Sequence, residues 1–132
     1  MKYLLDTHVW IWARLAPELL STRARDAIVE SDACDELLLS AISPWEFSLL
    51  LRKNRIEISC QPEDWIDRAL RMPKMRLVPL TPTIAYRSTV LPDGFGSDPA
   101  DQIIIAAARN ENATLITKDS KILDYPHVRS LW

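Results

Sequence analysis

Five acids of this chain, Asp6, Glu46, Asp98, Asp101 and Asp119, combine a type and a placing that could do chemistry. Asp6 closes the apolar run Tyr3-Leu4-Leu5, and Asp119 follows Leu115-Ile116-Thr117-Lys118. Glu46 comes just after Ser43-Pro44-Trp45, while Asp98 and Asp101 bracket Pro99-Ala100. If folding gathers such carboxylates, they repel one another, and the crowding is costly unless protons or a cation neutralise it. Oxygen ligands without His or Cys select Mg²⁺ or Mn²⁺ over Zn²⁺. No Ser-His-Asp or Cys-His set offers a competing nucleophilic site.

Each acid also admits a plainer reading. Ser43-Pro44-Trp45-Glu46 has the form of a capping box, with Ser at the N-cap, Pro at the first helical position and Glu at the third. Asp98-Pro99-Ala100-Asp101 repeats that form with Asp at both ends, and Asp119 could cap a short helix over 119–123. Asp6 alone lacks an evident capping role. Thr7, Thr117 and Ser120 are candidates to orient the acids, or ordinary strand-end and cap hydroxyls. His8 is a candidate general base or a packed or solvated side chain, and His127 is a weaker one. Trp45 and Trp65 are expected on helical faces with core neighbours, and Trp10 and Trp12 in a core or an interface.

The elements that must position these groups are legible in the pattern. Strands are expected over 2–5, 37–39, 77–80, 114–117 and 127–131, with Pro79 marking an edge or a strand end. Helices are expected over 9–16, 21–31, 43–53, 62–71, 81–90 and 102–111, the last opened by Asp98-Pro99. Gly94 and Gly96, the only two glycines against nine prolines, mark a loop with backbone freedom. Strands alternating with helices imply an α/β fold, a three-layer α/β/α sandwich around a central, mostly parallel sheet. Ligands of such sheets bind beyond the carboxyl ends of the strands, the edge where the five acids would collect.

Composition sets the outer bounds. The 132 residues suit one domain spanning 1–132, and 48% apolar with 26% charged residues is a globular balance. A net charge of −2 excludes a generally basic nucleic-acid coat, so any such partner must meet a local patch. Residues 52–76 hold seven bases against four acids, and residues 93–124 hold six acids against three bases. Cys34 and Cys60 are separated by 25 residues with no second Cys or His close to either, which reads as two free thiols in a reducing compartment. Asp6 interrupts the first apolar run and no stretch approaches the length of a membrane span, so a cytoplasmic protein without membrane association is expected.

The blocks LLDTHVWIW around Asp6, SAISPWEFSLL around Glu46, DPADQIIIAAA around Asp98 and Asp101, and LITKD at Asp119 occur in this order over essentially the whole chain. As an ordered set they resemble the PIN-domain ribonucleases, specifically the VapC-type toxins of prokaryotic toxin–antitoxin pairs. The resemblance implies a PIN-like fold whose acids hold one or two Mg²⁺ or Mn²⁺ ions. By position those acids are Asp6, Glu46, Asp101 and Asp119, while Asp98 matches the extra acid of a DPxD subgroup, as ligand, outer group or cap. It also implies an RNA substrate and a cognate antitoxin that turns a basic side chain toward the acids. Two positions depart from the family's pattern: Gln102 stands where a basic residue is frequent, and Gly96-Ser97 where His is frequent.

On that resemblance the reaction is phosphodiester hydrolysis, which a metal pair serves without a protein nucleophile. Asp6, Glu46 and Asp101 are expected to hold the first ion, and Asp119 with Asp98 the second. The apolar segments 9–16 and 48–51 lead us to expect a homodimer. The alternative is a PIN-like binding or regulatory module without nuclease activity, which a broken acid set would favour. A haloacid-dehalogenase-like phosphatase needs an acid where His8 stands, and a receiver domain needs an acidic pair where only Asp6 is present.

Overall fold

The computed structural model describes residues 1–29 and 36–132. The expected end of the second helix near Ser31, and Cys34, lie outside the described residues. The strands are β1 (Lys2–Leu5), β2 (Glu36–Ser40), β3 (Met75–Val78), β4 (Thr114–Ile116) and β5 (Ser130–Leu131). The helices are α1 (Thr7–Leu15), α2 (Thr22–Val29), α3 (Ile42–Arg52), α4 (Pro62–Leu70), α5 (Pro82–Thr89), α6 (Pro99–Glu111) and α7 (Ser120–Leu123). A 3-10 turn, Pro17–Leu19, follows α1.

The five strands form one sheet in the order β3-β2-β1-β4-β5, and every pairing is parallel. Strand side chains alternate between faces, and the neighbouring leucines of each strand part accordingly. Leu4, Leu38 and Leu115 pack on one face with Ile104, Ile105 and Ile122 of α6 and α7. Leu5, Leu39 and Ile116 pack on the other with Val9 and Trp10 of α1, Phe47 of α3 and Trp65 of α4. Both faces are covered, which is the expected three-layer arrangement. On the second face Phe47 and Trp65 stack with centroids 4.2 Å apart, and Trp10 meets Trp65 edge-on at 5.2 Å.

Some local expectations are corrected. β3 covers 75–78 rather than 77–80, because Pro79 has no N–H for the ladder; the edge position it implied is observed. β5 is confined to Ser130–Leu131. Ser43 is no N-cap: Ala41 is already in helical geometry, α3 starts at Ile42, and the Ser43 hydroxyl is buried inside. Conversely Asp6 does cap, accepting from the Thr7 N–H at the start of α1. Val9, Trp10 and Ile11 are core residues, so most of the 9–16 segment is not free apolar surface. The exposed apolar side chains include Leu77, Leu80, Tyr86 and Val90, on and after the edge strand. No helix among the described residues is long and apolar enough to cross a membrane.

Candidate active site

The strand order runs outward from β1 in both directions, to β2 and β3 on one side and to β4 and β5 on the other. At such a reversal the connections leave toward opposite faces and a crevice opens at the carboxyl edge. Asp6 follows β1 and Thr117 follows β4, and the Asp6 N–H extends the β1–β4 ladder by donating to the Ile116 carbonyl at 3.0 Å. The five predicted acids, Asp6, Glu46, Asp98, Asp101 and Asp119, line one cavity of about 510 Å³ here, with His8, Trp12 and Lys118.

Two buried threonines hold the acids. Thr117 Oγ1 donates to Asp6 Oδ2 at 2.7 Å and accepts from the Asp119 N–H at 3.0 Å, tying the ends of β1 and β4 together. Thr7 Oγ1 donates to Glu46 Oε1 at 2.5 Å, and its own oxygen lies 2.8 Å from Ser43 Oγ. Because the Thr7 proton goes to Glu46, the Ser43 hydroxyl is the donor of that pair, giving a relay Ser43 to Thr7 to Glu46. Ser43, read from sequence as a cap, is therefore a support of the site. Ser120 is exposed.

Asp98 and Asp119 each lend one carboxylate oxygen to a helix start. Asp98 Oδ1 accepts from the N–H groups of Ala100 and Asp101 at 2.9 and 3.3 Å, and Asp119 Oδ1 from that of Lys121 at 2.8 Å. Among the described residues no hydrogen bond takes the second oxygen of either, so capping and ligation are compatible. The Asp101 carboxylate has no hydrogen-bond donor among the described residues. Its pKa is pushed up to about 7, first by burial and then by Asp98, Asp6, Asp119 and Glu46. Burial also raises Asp6 and Glu46 above the usual carboxylate range, against the hydrogen bonds from Thr117 and Thr7.

Among the described residues no three acids converge closely enough to hold one ion as they stand. Their chemistry nevertheless fits a hard divalent cation: all the acids' donor atoms are oxygens, and among the described residues the Asp101 carboxylate has no hydrogen-bond donor. His8 is exposed at the rim, its ring 5.7 Å from that of Trp12. The Lys118 ammonium lies 5.9 Å over the Trp12 ring. His127 is elsewhere, bonded to Asp93 at 2.7 Å. Gln102 donates to the carbonyls of Phe95 and Gly96, so this departure from the family's pattern ties down the loop before α6. Asp93, Gly94 and Gly96 in that loop have positive φ.

The basic segment 52–76 divides in space. Arg76 pairs with Glu36 and Glu111, and Arg71 with Asp67, while Lys53 and Arg55 line a second cavity beside the acids. Trp45, expected against the core, is instead 55% exposed in that cavity.

A doubly covered parallel sheet with carboxylates gathered where its strand order reverses defines the class. The chain belongs to the PIN-domain family, whose model matches residues 3–128. It is 35% identical to the ribonuclease VapC22 of Mycobacterium tuberculosis over 126 residues, 96% of this chain and 93% of the relative. Among solved structures it is similar to VapBC2 of Rickettsia felis bound to a promoter DNA fragment, with a TM-score of 0.72 and 18% identity over 99% of this chain and 98% of that one. It is also similar to FitAcB of Neisseria gonorrhoeae, with a TM-score of 0.67 and 23% identity over 98% and 96% of the two chains. These structural likenesses bear on the fold.

Proposed function

We propose that residues 1–132 work as a single PIN-like domain, a VapC-type endoribonuclease that hydrolyses RNA phosphodiester bonds in the cytoplasm. The observation that carries this is the gathering of five acids in one cavity, where burial and then the neighbouring acids push the Asp101 pKa up to about 7. The curated relative, named a ribonuclease, supports the same reading. Mg²⁺ or Mn²⁺ is the cofactor, with Asp6, Glu46 and Asp101 holding one ion and Asp119 with Asp98 a second or its waters. When bound, such ions neutralise the phosphoryl oxygens, lower the pKa of water and stabilise the leaving oxygen.

The chain's own groups do the rest. Thr117 and Thr7 fix the rotamers of Asp6 and Glu46, so these carboxylates need little reordering when the site fills. Lys118 at the rim attracts the substrate phosphate toward a pocket that would otherwise repel it. In hydrolysis a water oxygen bonds to phosphorus, the bond from phosphorus to one ribose oxygen breaks, and that oxygen leaves with a proton.

The chain acts as the toxin of a toxin–antitoxin pair and as a homodimer. Unneutralised carboxylates suit a basic side chain from an antitoxin, and the solved relatives include toxin–antitoxin complexes. Leu77, Leu80, Tyr86 and Val90 give a second copy apolar surface to bury. The test incubates purified protein with structured and single-stranded RNAs in Mg²⁺, in Mn²⁺ and in EDTA. Cleavage with either ion and none in EDTA is expected; equal cleavage in EDTA would remove the metal from the reaction.

A further inference from the structure

Beside the acid cavity lies a second cleft of about 570 Å³, and His8, Glu46 and Asp98 line both. Its far side carries Trp45, Lys53 and Arg55. The Trp45 indole is exposed and, among the described residues, stacks on no other ring. The two bases are brought there by the end of α3. Asn54 takes a positive φ of 55°, and the Arg55 N–H turns back to donate to the Leu50 carbonyl at 2.9 Å. The fold thus keeps both bases in one cleft, and among the described residues neither is in an ion pair, unlike Arg71 and Arg76.

A polyanion of alternating phosphates and flat rings fits this set of groups: clustered acids, an aromatic face, and two cations with no ion-pair partner among the described residues. We propose that Trp45, Lys53 and Arg55 form a nucleotide subsite for single-stranded RNA next to the scissile bond, with a base stacked on Trp45 and its phosphate held by Lys53 and Arg55. The inference rests on the nuclease reading and adds the residues that seat the strand. Stacking on an aromatic side chain tolerates any base, whereas the two cations contribute through counterion release.

The experiment compares wild type with Trp45→Ala, Trp45→Phe, a Lys53→Ala/Arg55→Ala double variant and Arg23→Ala, whose residue lines neither cavity. Binding of a labelled single-stranded oligoribonucleotide is measured by anisotropy in EDTA, and KM and kcat for cleavage in Mn²⁺. Trp45→Ala is expected to weaken binding about tenfold and raise KM more than it lowers kcat, with Trp45→Phe restoring most of the loss. The double variant is expected to weaken binding and to reduce the slope of log K against log salt by about 0.7, one phosphate's worth. Arg23→Ala is expected to match wild type. If wild type cuts RNA while Trp45→Ala and the double variant keep its affinity and KM, the subsite is wrong and the nuclease reading stands. If wild type neither binds nor cuts RNA, both are wrong. Variants that keep RNA affinity but lose an antitoxin would give the cleft to a protein partner and overturn the proposal.

Discussion

Asp101 and Asp6 show how differently two neighbouring acids can be kept. Asp6 is held by the Thr7 N–H and the Thr117 hydroxyl, whereas Asp101 has only burial and four carboxylates around it. Folded Asp101 keeps its proton up to about pH 7, while the unfolded chain loses it near 3.8. Between those values the folded state binds more protons, so without metal stability falls as pH rises across that window. Melting curves in EDTA are expected to drop from pH 5 to pH 8 for wild type. Asp101→Asn should melt no lower than wild type at pH 8 and show a flatter profile. Mn²⁺ at a hundredfold excess over Kd should stabilise wild type by about 2.7 kcal/mol, and Asp101→Asn should lose that response. Thr117→Val removes the donor to Asp6 and is expected to lower activity roughly 10- to 100-fold, read as kcat/KM in Mn²⁺. The acids themselves were legible from strand ends and helix starts. The role of Ser43 was not, because a capping box is a local pattern and its hydroxyl is claimed by Thr7, 36 residues away.

The helices carry both structure and site on the same side chains, and the two contributions separate by substitution. Asp98 caps α6, so Asp98→Ala is expected to cost about 1 kcal/mol in urea unfolding, while Asp98→Asn keeps nearly all of that stability. A fall in the Mn²⁺ response of Asp98→Asn would then report ligation alone. The aromatic stack joins α3 to α4 through Trp65 and Phe47, the residue next to Glu46 in the chain. Trp65→Ala leaves a large cavity and is expected to cost roughly 3–5 kcal/mol by the same measurement. Strand and helix order could be read from apolar runs and Pro positions because each is set locally. Pro79 sets the end of β3 locally, but its start at Met75 depends on pairing with Leu37 of β2, which no local pattern contains. Trp45 was misplaced for a related reason: Phe47 and Leu49 to Leu51 make the helix look apolar, but Trp45 faces outward into the cleft while Phe47 faces the core.

At the scale of the whole molecule, the sheet order matters most, since the reversal at β1 brings Asp6 and Asp119 together across 113 residues of chain. The net charge of −2 hides this division of labour, with acids collected at the sheet edge and Lys53 and Arg55 held beside them. Light scattering at high micromolar concentration is expected to show a dimer. Leu80→Glu with Tyr86→Glu should then shift it toward monomer. The central claim is that these acids cut RNA with a divalent ion, and it is tested most directly by RNA cleavage in titrated Mn²⁺. Wild type and the Asp6→Asn/Asp101→Asn double variant, purified identically, are compared on the same RNA. Cleavage by wild type that rises with Mn²⁺ and is absent from the double variant is the predicted result. Undiminished cleavage by the double variant would contradict the account, and RNA left whole by wild type would favour a binding module instead.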